Sequence, residues 1–289
     1  MTHTRLSESD ANFHTILHGC KVVNVSLNLP GPAAAEKLAN MGAHVTKVEP
    51  PTGDPMQHYC PYWYQHMAAG QTVVTADLKS EAGKSDLDAL LRNADVLLTA
   101  SRPAALQRLG LDWESLRARY PRLCVVSIVG YPAPNDHVAG HDLTYQAALG
   151  LIFPPHMPVS LLTDISGAAE VVTTVLGLLF QREKSGTGAY RQVSLVECAL
   201  PFVDPLKYGS TLPNGGLGGA IPEYNLYQTQ DGWIAVAALE PHFKERLEGA
   251  FSLSGAESYR AIFATESSLF WQEWAHEHDV PIEIVKEWR

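Results

Sequence analysis

Three short stretches combine acid-base side chains with positions at the ends of predicted elements, where a side chain is free to face a cleft. Gly140-His141-Asp142 precedes a helical run, Thr163-Asp164-Ile165-Ser166-Gly167-Ala168 opens a long apolar helix, and Leu239-Glu240-Pro241 ends a strand. Imidazole and carboxyl groups exchange protons near neutral pH when their surroundings tune their proton affinities. Each stretch also has a purely structural explanation. Asp142 or Asp164 can serve as an N-cap worth about 1 kcal/mol, His141 can be a surface residue, and Glu240 can close a strand ahead of a proline-started helix. Taken singly, each is better read that way; their weight lies in the combination.

Other chemistries lack their residues. No G-x-G-x-x-G follows the first strand, and neither a P-loop nor a G-x-S-x-G is present, so a phosphate cradle and a nucleophile elbow are both missing. The Gly215-Gly216-Leu217-Gly218-Gly219 cluster opens no helix and is expected to form a mobile loop. His14/His18 and His276/His278 have spacings seen in metal sites, but no third ligand or H-E-x-x-H accompanies them; no metal and no cofactor is expected.

The elements that must carry these residues alternate. Lys21–Ser26, His44–Val48, Thr72–Ala76, Val96–Leu98 and Leu123–Ile128 are short β-branched runs read as strands. Helical patterns run over Pro32–Met41, Ser80–Asn93, Trp113–Tyr120, Asp142–Leu151 and Asp164–Arg182, the last ending at Ser185-Gly186. Strands alternating with helices imply an α/β fold with a doubly wound, mostly parallel, Rossmann-like sheet. Beyond about residue 200, two strands, Tyr224–Tyr227 and Trp233–Ala237, flank Thr229-Gln230-Asp231-Gly232, where Asp-Gly is expected to supply a positive φ. The expected organisation is a polar leader over 1–18, a large domain over 19–205 and a smaller α+β domain over 206–289.

Composition agrees with a folded enzyme. The 289 residues are 46% hydrophobic and 18% charged, which excludes disordered and fibrous classes. The net charge of -10 argues against nucleic acid and anionic membranes as partners. The four cysteines form no C-x-x-C, and no signal peptide or spanning segment is evident, so a reducing cytoplasm is expected.

The combination resembles the family III CoA-transferases (CaiB/BaiF), and within them the α-methylacyl-CoA racemase branch. The resemblance runs from Val22–Pro32 through Leu38–Pro50, Thr75–Lys79, Ala94–Leu98, Ser101-Arg102-Pro103, Arg108–Leu111, Ala139–Asp142, Thr163-Asp164 and Gly186–Gly188 to Asp231–Pro241. The histidine of Gly-His-Asp and the Ala-Leu-Glu-Pro run indicate the racemase branch. The resemblance implies removal of the proton α to an acyl-CoA thioester by one group and its return from the other face, through an enolate. It assigns His141, supported by Glu240, and Asp164, assisted by Asp142, as the acid-base groups. Arg102, Lys47, Lys79, Gly140 and Tyr145 are the expected substrate and CoA contacts. CoA enters as part of the substrate, the substrate being a small molecule, and the assembly is a homodimer.

Two departures accompany the resemblance. Where the family carries phosphate-binding cations after the second strand and before the third, this chain reads Glu49-Pro50-Pro51 and Met67-Ala68-Ala69-Gly70-Gln71. It also ends at Arg289, soon after Val280-Pro281-Ile282-Glu283, without the segment that returns to the first domain in an interlocked dimer. Two alternatives therefore stand beside the racemase reading. One is a CoA-transferase using Asp164 as nucleophile; the other is a family-derived enzyme or partner subunit repurposed for a substrate not linked to CoA.

Overall fold

The computed structural model describes residues 14–287, so the first thirteen residues of the polar leader lie outside it. The chain divides between Leu200 and Pro201 into two compact units. The first contains six strands: β1 (Lys21–Asn24), β2 (His44–Glu49), β3 (Thr72–Thr75), β4 (Val96–Thr99), β5 (Cys124–Val129) and β6 (Tyr190–Ser194). They form one all-parallel sheet in the order β3-β2-β1-β4-β5-β6. The strand order reverses between β1 and β4, and in such sheets the crevice at the carboxyl ends of the reversing strands is where ligands bind.

The β-branched runs at the inner positions form strands because both faces of the sheet are covered there. Successive side chains point to opposite faces, so Val22, Leu98 and Val126 enter one core and Val23, Leu97 and Val125 the other. The first core is closed by α1 (Pro30–Asn40) and, later in the chain, by the long helix described below. The second is closed by α4 (Glu81–Leu91), α5 (Pro103–Leu109) and α6 (Trp113–Arg119). Two short helices, α2 (Met56–Tyr59) and α3 (Pro61–Ala68), fill the β2–β3 connection. Each fully buried leucine at these positions contributes about 1.5–3 kcal/mol.

Two further helices carry the candidate chemistry, α7 (Asp142–Ala148) and α8 (Leu162–Ser185). By length and composition α8 is apolar enough to cross a membrane. Its stripe Ala168, Val171, Val175 and Leu178 packs into the first core. Gly186, at φ 75°, ends it in the left-handed conformation that glycine adopts without strain. A short helix, α9 (Leu195–Ala199), follows β6.

The second unit holds α10 (Asp204–Lys207), an antiparallel sheet β7 (Tyr224–Gln228), β8 (Trp233–Ala237) and β9 (Ile282–Ile284), and helices α11 (Pro241–Phe251), α12 (Gly255–Phe263) and α13 (Ser268–His278). Its core is aromatic, built around Tyr227, Tyr259, Phe263 and Trp271.

Several expectations are corrected. β6 and β9, and the helices α2, α3 and α5, are additional elements. The Thr229–Gly232 turn needs no positive φ at Gly232, which is absent from the left-handed residues. Side chains shape it instead: Thr229 Oγ1 accepts from Gly232 N at 3.1 Å, and Asp231 Oδ1 accepts from Ser268 N at 2.8 Å. The Gly215–Gly219 cluster is a hydrogen-bonded 3-10 turn, Gly216–Gly218, in which Cβ atoms at Gly215 or Gly218 would collide with nearby backbone carbonyls. Glycine is required there for close approach of the backbone.

Candidate active site at the reversal point of the sheet

The loop from β5 to α7 brings His141 to the carboxyl edge of the sheet. His141 is the N-cap of α7; its backbone N–H donates to Thr144 Oγ1 at 3.0 Å. The imidazole is exposed and lines the cleft described below.

Asp142 is buried and performs a capping role for a different helix. Helix α8 begins after Leu161, which has no side-chain oxygen to offer its free N–H groups. Asp142 Oδ1 supplies it from α7, accepting from Thr163 N at 2.8 Å, Thr163 Oγ1 at 2.7 Å and Asp164 N at 3.1 Å. Its Oδ2 accepts from Gln146 Nε2 at 2.5 Å, and that amide also donates to Ser160 O at 2.8 Å. Asp164 is therefore no N-cap. It is the third residue of α8, with its own side chain unengaged in capping.

Asp164 is half-buried, and burial first, then the Asp142 charge, pushes its carboxyl up from 3.8 to about 7. It is thus a group that both holds and releases a proton near neutrality. Beside it, burial and then the Asp164 charge push the Tyr145 phenol up to about 12, so Tyr145 remains a hydroxyl. The Tyr145 ring sits edge-on to Tyr131, with 5.3 Å between centroids. A Cβ on Gly130 or Gly140 would collide with Tyr145. Gly140 therefore serves the ring's close approach as well as lining the cleft.

His141, Tyr145 and Asp164 line one cleft of about 180 Å3, together with Asn28, Arg102 and Asp136. Its walls come from the segments after β1, β4 and β5, so it lies at the reversal point of the sheet. Leu27 and Ser101 are shared with a larger cavity of about 580 Å3 beyond β1, β2 and β3. Lys79, Lys84 and Arg108 line that cavity. Lys84 pairs with Glu81 at 2.7 Å, while no carboxylate pairs with Lys79 or Arg108 among the described residues. Lys84 and Arg108 were not among the expected contacts. Arg108 lies in the Arg108–Leu111 run already matched to the family, and that was the only available signal.

Lys47 is a correction. It is 1% exposed and its Nζ is bonded to Glu49 Oε1 and Asp54 Oδ2, each at 2.6 Å, so it cannot reach a phosphate. Period-two alternation puts Lys47 and Glu49 on one face of β2. Asp54 Oδ1 in turn accepts from Asn28 N and Met56 N, each at 3.0 Å. The ion cluster thereby holds Asn28, at φ 66°, in the wall of the cleft. Glu240 lies in the second unit, exposed, as the N-cap of α11.

A family model described as CoA-transferase family III matches residues 17–288. The chain belongs to this family. It is 30% identical to the α-methylacyl-CoA racemase of Homo sapiens, over 83% of this chain and 66% of that protein. It is 26% identical to the cinnamoyl-CoA:phenyllactate CoA-transferase of Clostridium sporogenes, over 96% of this chain and 80% of that one. The fold matches a CAIB/BAIF family protein from Brucella suis with a TM-score of 0.80 at 23% identity, covering 95% of this chain and 85% of that chain. Family membership places racemases and CoA-transferases together among the relatives, and the α/β architecture is the family's own.

Proposed function

We propose that the protein moves the α-proton of a 2-methylacyl-CoA thioester between His141 and Asp164, as a racemase or epimerase. The observation that carries this reading is that an exposed imidazole and a carboxyl pushed up to about 7 line the same small cleft. Proton transfer is efficient when donor and acceptor affinities lie near the working pH. A nucleophilic carboxylate, by contrast, gains from full ionisation, which burial of Asp164 opposes.

The remaining residues support the same reading. Lys79 and Arg108 in the larger cavity are free to take phosphate oxygens, with Lys84 beside them, and Arg102 lines the small cleft next to Ser101, which the two cavities share. The thioester then lies toward the cleft and the nucleotide toward β2 and β3. The N-terminal amides of α8 are engaged by Asp142, so stabilisation of the enolate falls to Tyr145 Oη and the cleft's other donors. Asp142 is a positioning residue. Support of His141 by Glu240 rests on the family resemblance.

Incubation with a 2-methylacyl-CoA in deuterated water is expected to place deuterium at the α-carbon, read by mass spectrometry. His141→Ala is expected to abolish racemisation and to leave exchange only for the enantiomer whose α-proton faces Asp164. If instead exchange is absent at saturating substrate and hydroxylamine during turnover modifies Asp164, the transferase reading replaces this one.

A further inference from the structure

The cleft contains a carboxylate that the proposed reaction does not use. Asp136 lies on the loop between β5 and α7, half-buried, and lines the same cleft as His141 and Asp164. Its Oδ2 accepts from Gln192 Nε2, on β6, at 3.2 Å. Its Oδ1 has no hydrogen-bond partner and the carboxylate no ion pair among the described residues. Arg102, which also lines the cleft, forms no ion pair with it among the described residues.

A half-buried carboxylate with a spare oxygen rewards a ligand that brings a donor and penalises one that brings a second negative charge. The cleft is about 180 Å3 and open to solvent, with Asp136, His141 and Asp164 all in its lining, so a substituent next to the α-carbon has Asp136 among its neighbouring side chains. We propose that Asp136 sets the acyl specificity of this site, selecting 2-methylacyl groups that carry a hydroxyl next to the α-carbon over plain alkyl groups and over acyl groups ending in a carboxylate. The inference rests on the proton-transfer reading for its placement of the acyl group. It assigns Asp136 contact with the substituent, not with the reacting proton.

Three CoA esters test it: 2-methylbutyryl, 3-hydroxy-2-methylbutyryl and 2-methylsuccinyl. The native protein is expected to favour the hydroxylated ester by about tenfold or more in kcat/KM for α-exchange, because sites built to bond a hydroxyl discriminate strongly against its absence. In Asp136→Asn, Gln192 keeps the carbonyl oxygen as acceptor and the amide N–H turns to the cleft. The hydroxyl preference is then expected to fall by about tenfold, with the succinyl ester gaining. Calorimetric affinities of the same esters provide a readout independent of turnover, and His141→Ala is expected to keep their order. Exchange without preference, or an order unchanged by Asp136→Asn, overturns the assignment while leaving the proton-transfer reading intact. Binding in the expected order without any exchange overturns the proton-transfer reading and leaves Asp136 as the specificity residue.

Discussion

Replacing Asp164 by asparagine removes an ionisable group at nearly constant shape, and its effect on stability follows from the proton affinity. A carboxyl raised from 3.8 to about 7 binds its proton more tightly when folded than unfolded. At 1.36 kcal/mol for each tenfold step, the interval corresponds to about 4 kcal/mol. The raised value makes the sign clear: this contribution is fully present below pH 4 and is lost as pH rises through about 7. The native protein is therefore expected to lose stability from pH 4 to 7 relative to Asp164→Asn, by about 1.4 kcal/mol per pH unit at the steepest. Partial hydration of the half-buried group brings the plateau difference to about 2–4 kcal/mol, or roughly 5–15 °C in melting temperature for a unit of this size. Thermal melts of both proteins at half-unit steps from pH 4 to 8 measure it. Curves that stay parallel across that range refute the reasoning.

Further outcomes follow from the same geometry. Asp142→Ala removes the acceptor of two α8 amides and a hydroxyl, and is expected to cost about 1–3 kcal/mol in denaturant titration. It also lowers the Asp164 proton affinity, moving that limb of the exchange-rate pH profile to lower pH. Lys47→Met leaves Glu49 and Asp54 buried without their cation and is expected to cost about 3–5 kcal/mol in thermal unfolding. Lys79→Ala and Arg108→Ala are each expected to raise KM for the CoA ester by about tenfold with kcat nearly unchanged. Their KM values are also expected to depend less on salt than the native value.

Much of this was legible in the sequence. The inner strands of the parallel sheet, β2, β1, β4 and β5, are β-branched runs because both faces are largely buried there, and His141 and Asp164 stand at helix starts that the apolar pattern marks. β6 escaped because Tyr-Arg-Gln-Val-Ser belongs to an edge strand, whose polar residues blur the run. α2 and α3 escaped because Met56–Ala68, rich in aromatic and histidine residues and broken by Pro61, carries no clear amphipathic period. Asp142 looked like a local cap, but its partners lie 21 and 22 residues away, a distance that no helical spacing rule covers. Lys47 looked like a phosphate ligand because its sequence neighbours match the family. Only the fold shows it sealed between Glu49 and Asp54. Arg108 and Lys84 needed two helices placed around a cavity before their charges could be counted together.

The bond from Asp142 to the start of α8 makes the proton on Asp164 an effector of the cleft's own shape. Asp142 belongs to α7, and its charge raises the Asp164 proton affinity only while α7 is docked. Reciprocity then requires that a proton on Asp164 favour the docked arrangement and that its loss disfavour it by the same factor. In the proposed reaction, handing the proton from Asp164 to the substrate leaves two anions facing each other across the start of α8. The repulsion weighs against the docked arrangement only in the direction of turnover that deprotonates Asp164; in the reverse direction Asp164 gains the proton and the repulsion is relieved.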